Sequence, residues 1–164
     1  MRKLHVLAAL AAAFMIAAVA ATTSQAATTV PVTIKLVEAL RAPSLTNGCP
    51  DIGIDVNCGT GEFRPFGQAD SIVSINACGD NCTIRWISVS GGTLVLRESL
   101  SNITCPGACV TQWPHGGQFF ATTTAEVVFG TGVFAGATGV LTGTLKAVAW
   151  VAQIDYSGTI VLES

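Results

Sequence analysis

Arg85 and Glu98 are the residues in this chain best placed to do chemistry together. They flank Gly91-Gly92, a two-residue turn signal between the apolar alternations Thr83–Ser90 and Thr93–Ser101. A hairpin closed there pairs Val89 with Leu94, Ile87 with Leu96 and Arg85 with Glu98 on its more apolar side. The other side pairs Trp86 with Arg97 and Ser88 with Val95. An inward ion pair is costly unless geometry and hydrogen bonds offset the desolvation. Arg85–Glu98 is therefore expected to be a structural salt bridge at the end of a core, or else a polar anchor or general acid/base in an otherwise apolar cavity. Trp86 over Arg97 reads as a surface cation–π contact.

Other catalytic sets are thin. After the leader described below, His115 is the one histidine, in Gln112-Trp113-Pro114-His115-Gly116-Gly117, and there is no Gly-x-Ser-x-Gly elbow to serve it. Trp113 and His115 are candidates for contact with a ligand or partner, as an aromatic in a cysteine-bounded loop can cap a barrel mouth or meet another protein. Glu62, Asp70, Glu98, Glu126 and Asp155 could supply a carboxylate pair, but strand parity turns Glu126 and Asp155 to solvent. No His/carboxylate cluster suggests a metal, and no cofactor is implied.

Six cysteines fall into three local pairs, Cys49 and Cys58, Cys78 and Cys82, Cys105 and Cys109. Each lies in a stretch rich in Gly, Pro, Asn and Asp. Sequence alone leaves all ~15 connectivities open. Local pairing would pin three loops, each worth about 2–3 kcal/mol in the chain-entropy account. Cys78-x3-Cys82 with Cys105-x3-Cys109 could instead hold zinc, but in an exported chain disulfides are the expectation.

Export is indicated by the N-terminus. Arg2 and Lys3 precede an apolar run from Val6 to Ala20, and Ser24-Gln25-Ala26 offers small residues for cleavage after Ala26. The run falls short of the ~20 residues of a membrane span. Residues 1–26 are thus read as a signal peptide and 27–164 as one secreted, extracellular domain. In that domain six Lys/Arg face ten Asp/Glu with no basic run, which argues against nucleic acid and anionic membrane surfaces. The mean hydropathy of +0.57 is inflated by the leader. Asn81-Cys82-Thr83 and Asn102-Ile103-Thr104 match the N-glycosylation pattern, of consequence only in a glycosylating host.

Beyond residue 26 the pattern is period two, with turn signals every eight to twelve residues. Val30, Val32, Ile34 and Leu36 mark a first strand. Glu62–Asn76 reads as one strand bent near Pro65 and Gly67. Gln118–Phe129 carries Phe119, Ala121, Ala125, Val127 and Phe129 on one face. Val140–Val151 and Ile154–Glu163 complete the set, the last with Ile154, Tyr156, Ile160 and Leu162 together. Seven or eight antiparallel strands in one domain predict an all-β barrel or sandwich.

Gly130-Thr131-Gly132-Val133-Phe134-Ala135-Gly136-Ala137-Thr138-Gly139 is not a dinucleotide fingerprint. Ala135 stands in place of the third glycine and no helix follows. It reads as a compact strand connection with Phe134 plugging one end of the core. With Tyr156-Ser157-Gly158-Thr159-Ile160 it resembles the C-terminal half of the allene oxide cyclase and dirigent β-barrel superfamily. Cys58–Gly67 and Cys82–Glu98 are similar to small secreted bacterial members of that barrel group. The resemblance implies a single antiparallel barrel of about eight strands with an apolar cavity, often oligomeric, in a bacterial host. It carries over no catalytic residue. Three functions follow as expectations: a non-catalytic binder of a small apolar ligand or an extracellular protein; a cofactor-free isomerase or cyclase using Arg85 and Glu98; and a structural or inhibitory protein using its cysteine-bounded loops.

Overall fold

The computed structural model describes residues 26–39, 49, 56–75, 77–106, 118–148 and 151–163. Eight antiparallel strands close into a barrel in chain order: β1 (Thr28–Ala39), β2 (Asn57–Arg64), β3 (Gly67–Ser74), β4 (Cys82–Val89), β5 (Gly92–Thr104), β6 (Gln118–Gly130), β7 (Thr138–Val148) and β8 (Val151–Leu162). β1 closes the barrel against β8, from Thr28–Leu162 to Ala39–Val151. Alternation drives this: in β1, Val32, Ile34, Leu36 and Glu38 are buried while the residues between them are exposed. Closure leaves no sheet edge unpaired.

The two ends are built differently. One carries the β2–β3 turn at Pro65-Phe66, the β4–β5 turn and the Gly130–Gly139 connection. There a 3-10 turn, Gly132–Phe134, drops Phe134 into the barrel, as the glycine-rich stretch predicts. The Phe134 ring stacks on Phe63 at 5.4 Å between centroids and meets Phe66 edge-on at 4.7 Å. Gly132 has φ +59°, and a Cβ there would lie 1.9 Å from the Gly91 carbonyl oxygen, so only glycine fits. Phe63, Phe134, Leu94 and Leu141 have no exposed surface, so no cavity able to admit water borders them. This is the plugged end. The other, the loop end, receives the β1–β2, β3–β4, β5–β6 and β7–β8 connections.

Both disulfides between described cysteines are the local ones. Cys49–Cys58 ties β2 to the segment before it, with Cα atoms 5.5 Å apart, and Cys78–Cys82 closes the β3–β4 turn at 5.2 Å. Cys109, and with it the third expected pair, lies outside the described residues.

Four local expectations are corrected. In place of one strand over Glu62–Asn76, the described part to Ser74 lies in a hairpin, β2 and β3, because Pro65 and Phe66 form a complete turn and Gly67 follows at φ +103°; Asn76 lies outside the described residues. The β4–β5 turn is Ser90-Gly91, with Gly91 at φ +112°, so Val89 pairs with Gly92 and Ile87 with Leu94. Gly92 is held in the strand because it packs under the Thr131 carbonyl, 2.3 Å from where its Cβ would be. The slip is two residues, and an even slip preserves which side chains face inward. It does move Trp86 opposite Val95, and Arg97 instead pairs with Glu126 across the outer wall. Finally, Phe129 is 59% exposed, because a bulge pairs Val95 with Phe129 and Leu96 with Val127, leaving Val128 as an extra residue that reverses the alternation.

Candidate functional site

Inside the barrel, toward the loop end, a single guanidinium holds two carboxylates. Arg85 on β4 donates from Nε to Glu98 Oε1 on β5 at 2.5 Å and from Nη2 to Glu98 Oε2 at 3.3 Å. Its Nη1 crosses the barrel to Glu38 on β1, and to Ser71 Oγ on β3 at 3.1 Å. Ser71 Oγ also donates to Glu38 Oε1 at 2.5 Å, and Thr83 Oγ1 to Glu98 Oε2 at 2.8 Å. The Tyr156 hydroxyl on β8 donates to Glu98 Oε1. Arg85, Glu38 and Glu98 are each 1% exposed.

β2 packs closely on β1 beside this cluster. Gly59 and Gly61 lie opposite Glu38 and Leu36, and a Cβ at either would fall within about 2 Å of a β1 carbonyl oxygen. On the far side Gly143 lies opposite Tyr156, and a Cβ there would sit 2.8 Å from the Tyr156 ring. Glycine at 143 therefore lets the ring lie flat enough for its hydroxyl to reach β5.

Burial is the first influence on the ionisable groups. It pushes the Tyr156 phenol well above its ordinary range; the charge of Arg85 opposes that rise, and Glu98 adds to it. For Arg85 burial is the largest single influence and works against the charged form, but Glu98 and Tyr156 together outweigh it and the guanidinium is held above its ordinary value. Two carboxylates thus share one permanent cation, and every Arg85 nitrogen is engaged within the cluster.

Arg85 and Glu98 are brought together as expected, although their strand partners are Leu96 and Thr83 and the contact runs diagonally. Trp113 and His115 lie outside the described residues; the strands on either side of them, β5 and β6, join at the loop end. Glu126 and Asp155 face solvent. Sequence reasoning missed Glu38, Ser71, Thr83 and Tyr156 as members of the cluster. Glu38 had a usable signal, since it continues the inward phase of Val32, Ile34 and Leu36.

Next to the cluster the packing loosens. Leu100 on β5, Phe119 on β6 and Gly143 and Leu145 on β7 all occupy inward positions, yet each keeps part of its surface exposed. Thr123 sits in the same row, paired with Leu100 on one side and Gly143 on the other. Together these residues form a partly exposed apolar strip on the β5–β7 side of the barrel interior. Outside the barrel, Arg97, Ser99, Thr124 and Glu126 line a shallow groove of about 470 Å³ beside the Cys78–Cys82 disulfide, separate from the interior. No protein-family model matches the chain, and no characterised protein or solved structure shows significant similarity to it.

Proposed function

We propose that this chain is a secreted, disulfide-stapled barrel that binds a small, largely apolar ligand through its loop end. The observation that carries the reading is the partial exposure of Leu100, Phe119 and Leu145 at inward positions of a barrel whose opposite end is sealed by Phe134. Apolar walls with a few convergent polar groups are the usual make-up of a small-molecule site. The leader-like N-terminus and the two disulfides support an extracytoplasmic setting. The likeness of the glycine-rich segment to the allene oxide cyclase and dirigent barrels supports a ligand-holding barrel over a purely structural one. Cyclase or isomerase chemistry by Arg85 and Glu98 is the weaker reading, since both are 1% exposed and bonded to each other.

The test is native mass spectrometry of the oxidised protein from culture supernatant, followed by titration with N-phenyl-1-naphthylamine, whose fluorescence rises in apolar sites. A retained small molecule or saturable dye binding is expected, with Leu145→Trp abolishing it by covering the apolar strip. A bare chain that ignores the dye would overturn the reading and direct attention to a protein partner at the loops.

A further inference from the structure

The β3–β4 turn carries a reactive bond that the binding function does not use. Cys78 and Cys82 close a short ring, Cys78-Gly79-Asp80-Asn81-Cys82. Cys78, Gly79, Asp80 and Asn81 are exposed, and Cys82 is half-buried at the start of β4. The turn is also held by its backbone. The Cys82 N–H donates to the Gly79 carbonyl at 3.1 Å, and the Leu100 N–H to the Asn81 carbonyl at 2.9 Å. Opening the S–S bond therefore leaves the turn tied to β5. Cys49–Cys58 differs, since it joins residues 9 apart and both its cysteines are half-buried. A shorter ring restrains the unfolded chain less, and an exposed disulfide is the more open to thiol attack.

The outer wall also provides an approach. The groove of about 470 Å³ has both Cys78 and Cys82 in its lining, together with Arg97 and Glu126. Cys82 lies opposite Ser99, and Arg97 stands two residues before Ser99 on the same outward face of β5. A cation beside a cysteine favours its thiolate, and a thiol of lower pKa is the better leaving group. Glu126, which is bonded to Arg97, and Asp80 within the ring act in the opposite sense.

We propose that Cys78–Cys82 is a thiol–disulfide exchange site and that the groove beside it receives a small peptide thiol. The incoming thiolate attacks Sγ of Cys78, the more exposed cysteine; the S–S bond breaks and Cys82 Sγ leaves as a thiolate on the Arg97 side. A second thiol then attacks the incoming sulfur of the mixed disulfide and displaces Cys78. Two thiols become one disulfide, two electrons pass to the cysteine pair, and the protons of the two thiols end on Cys78 and Cys82. The groove is separate from the barrel interior, so this activity stands or falls independently of ligand binding.

The test incubates the oxidised protein with reduced glutathione near neutral pH and traps free thiols with N-ethylmaleimide. Mass spectrometry of the cysteine peptides reads the products, while circular dichroism follows the sheet. Glutathione is expected on Cys78, with Cys78–Cys82 opening at least about tenfold faster than Cys49–Cys58 and before any loss of sheet signal. Arg97→Gln should slow the opening about threefold, and Glu126→Gln and Asp80→Asn should each speed it by a similar factor. All three side chains are exposed, so these substitutions leave the core packing untouched. Opening of Cys49–Cys58 at the same rate, or opening only as the sheet signal disappears, would make Cys78–Cys82 a plain structural staple and overturn the proposal. Rates indifferent to Arg97, Glu126 and Asp80 would overturn the part assigned to the groove.

Discussion

The two ends of this barrel solve the same problem, closing a tube of eight strands, with opposite materials. At the plugged end Phe63, Phe66 and Phe134 pack ring to ring, and Phe63 and Phe134 have no exposed surface. Among the described residues no ionisable group is buried among these rings, so their mutual packing is dispersion and hydrophobic burial, indifferent to pH and salt. At the loop end the interior holds a guanidinium, two carboxylates, a phenol and three further hydroxyls, with partly exposed apolar side chains beside them. Polar groups there are held by one another, and the apolar side chains beside them are only partly buried. A protein that only needed a closed barrel could have used aromatic packing twice. The contrast separates an apolar seal at one end from a hydrogen-bonded polar interior at the other.

The largest effect should come from Arg85→Met. It leaves Glu38 and Glu98 buried with no cation between them, and removing one partner of a buried pair costs about 3–5 kcal/mol. With two carboxylates orphaned, a loss at the top of that range, about 5 kcal/mol, is expected in denaturant titration. Replacing all three charges by apolar residues of similar size should recover most of it, because the desolvation disappears with the ions. A single Arg85→Met loss under about 1 kcal/mol would mean that water reaches the cluster and that the ends differ less than their side chains suggest.

Phe134→Ala tests the other end. Deleting the ring removes its contacts with Phe63 and Phe66 and opens a cavity, at a cost of about 3–5 kcal/mol. The distinguishing feature is that this loss should be the same at pH 5 and pH 8, and dye binding at the loop end should survive wherever the variant is folded. Loss of dye binding by the folded variant would join the two ends into a single unit.

The plugged end was far more legible in the sequence than the loop end, and the reason is physical. Gly130–Gly139 is local: its glycines announce positive φ, and a lone Phe134 among small residues has nowhere apolar to go but inward. Strand alternation is local too, and most strands are visible in it. The errors arose where a single residue changes phase, as with the bulge at Val128, which turned Phe129 outward, or where Pro65 and Gly67 suggested a bend and in fact close a turn. The inner cluster, by contrast, gathers residues from β1, β3, β4, β5 and β8, separated by up to 58 positions in the Tyr156–Glu98 bond. The Arg85–Glu98 half could be foreseen because one hairpin carries both residues. Glu38 and Tyr156 join it only when the barrel closes.

The smallest and most specific effect is in alkali. Tyr156 is the single tyrosine of the chain, so its ionisation can be followed alone by absorbance near the phenolate band. In the unfolded chain a tyrosine ionises near pH 10. In the folded barrel burial holds the phenol well above that, so above about pH 10 the unfolded state releases a proton that the native state keeps. Stability is therefore at its full value below pH 10 and falls as pH rises from there toward the folded-state pKa, at up to about 1.4 kcal/mol per pH unit. Phenolate absorbance should appear only together with unfolding, not before it. Tyr156→Phe should cost about 1 kcal/mol at pH 7 through the lost bond to Glu98, and should remove this tyrosine's share of the alkaline slope. Phe134→Ala should leave the slope in place, because Phe134 packs against Phe63 and Phe66 and touches neither Tyr156 nor Glu98. A phenolate signal at pH 10 in protein that remains folded would show solvent reaching Tyr156, and with it the ionic cluster itself.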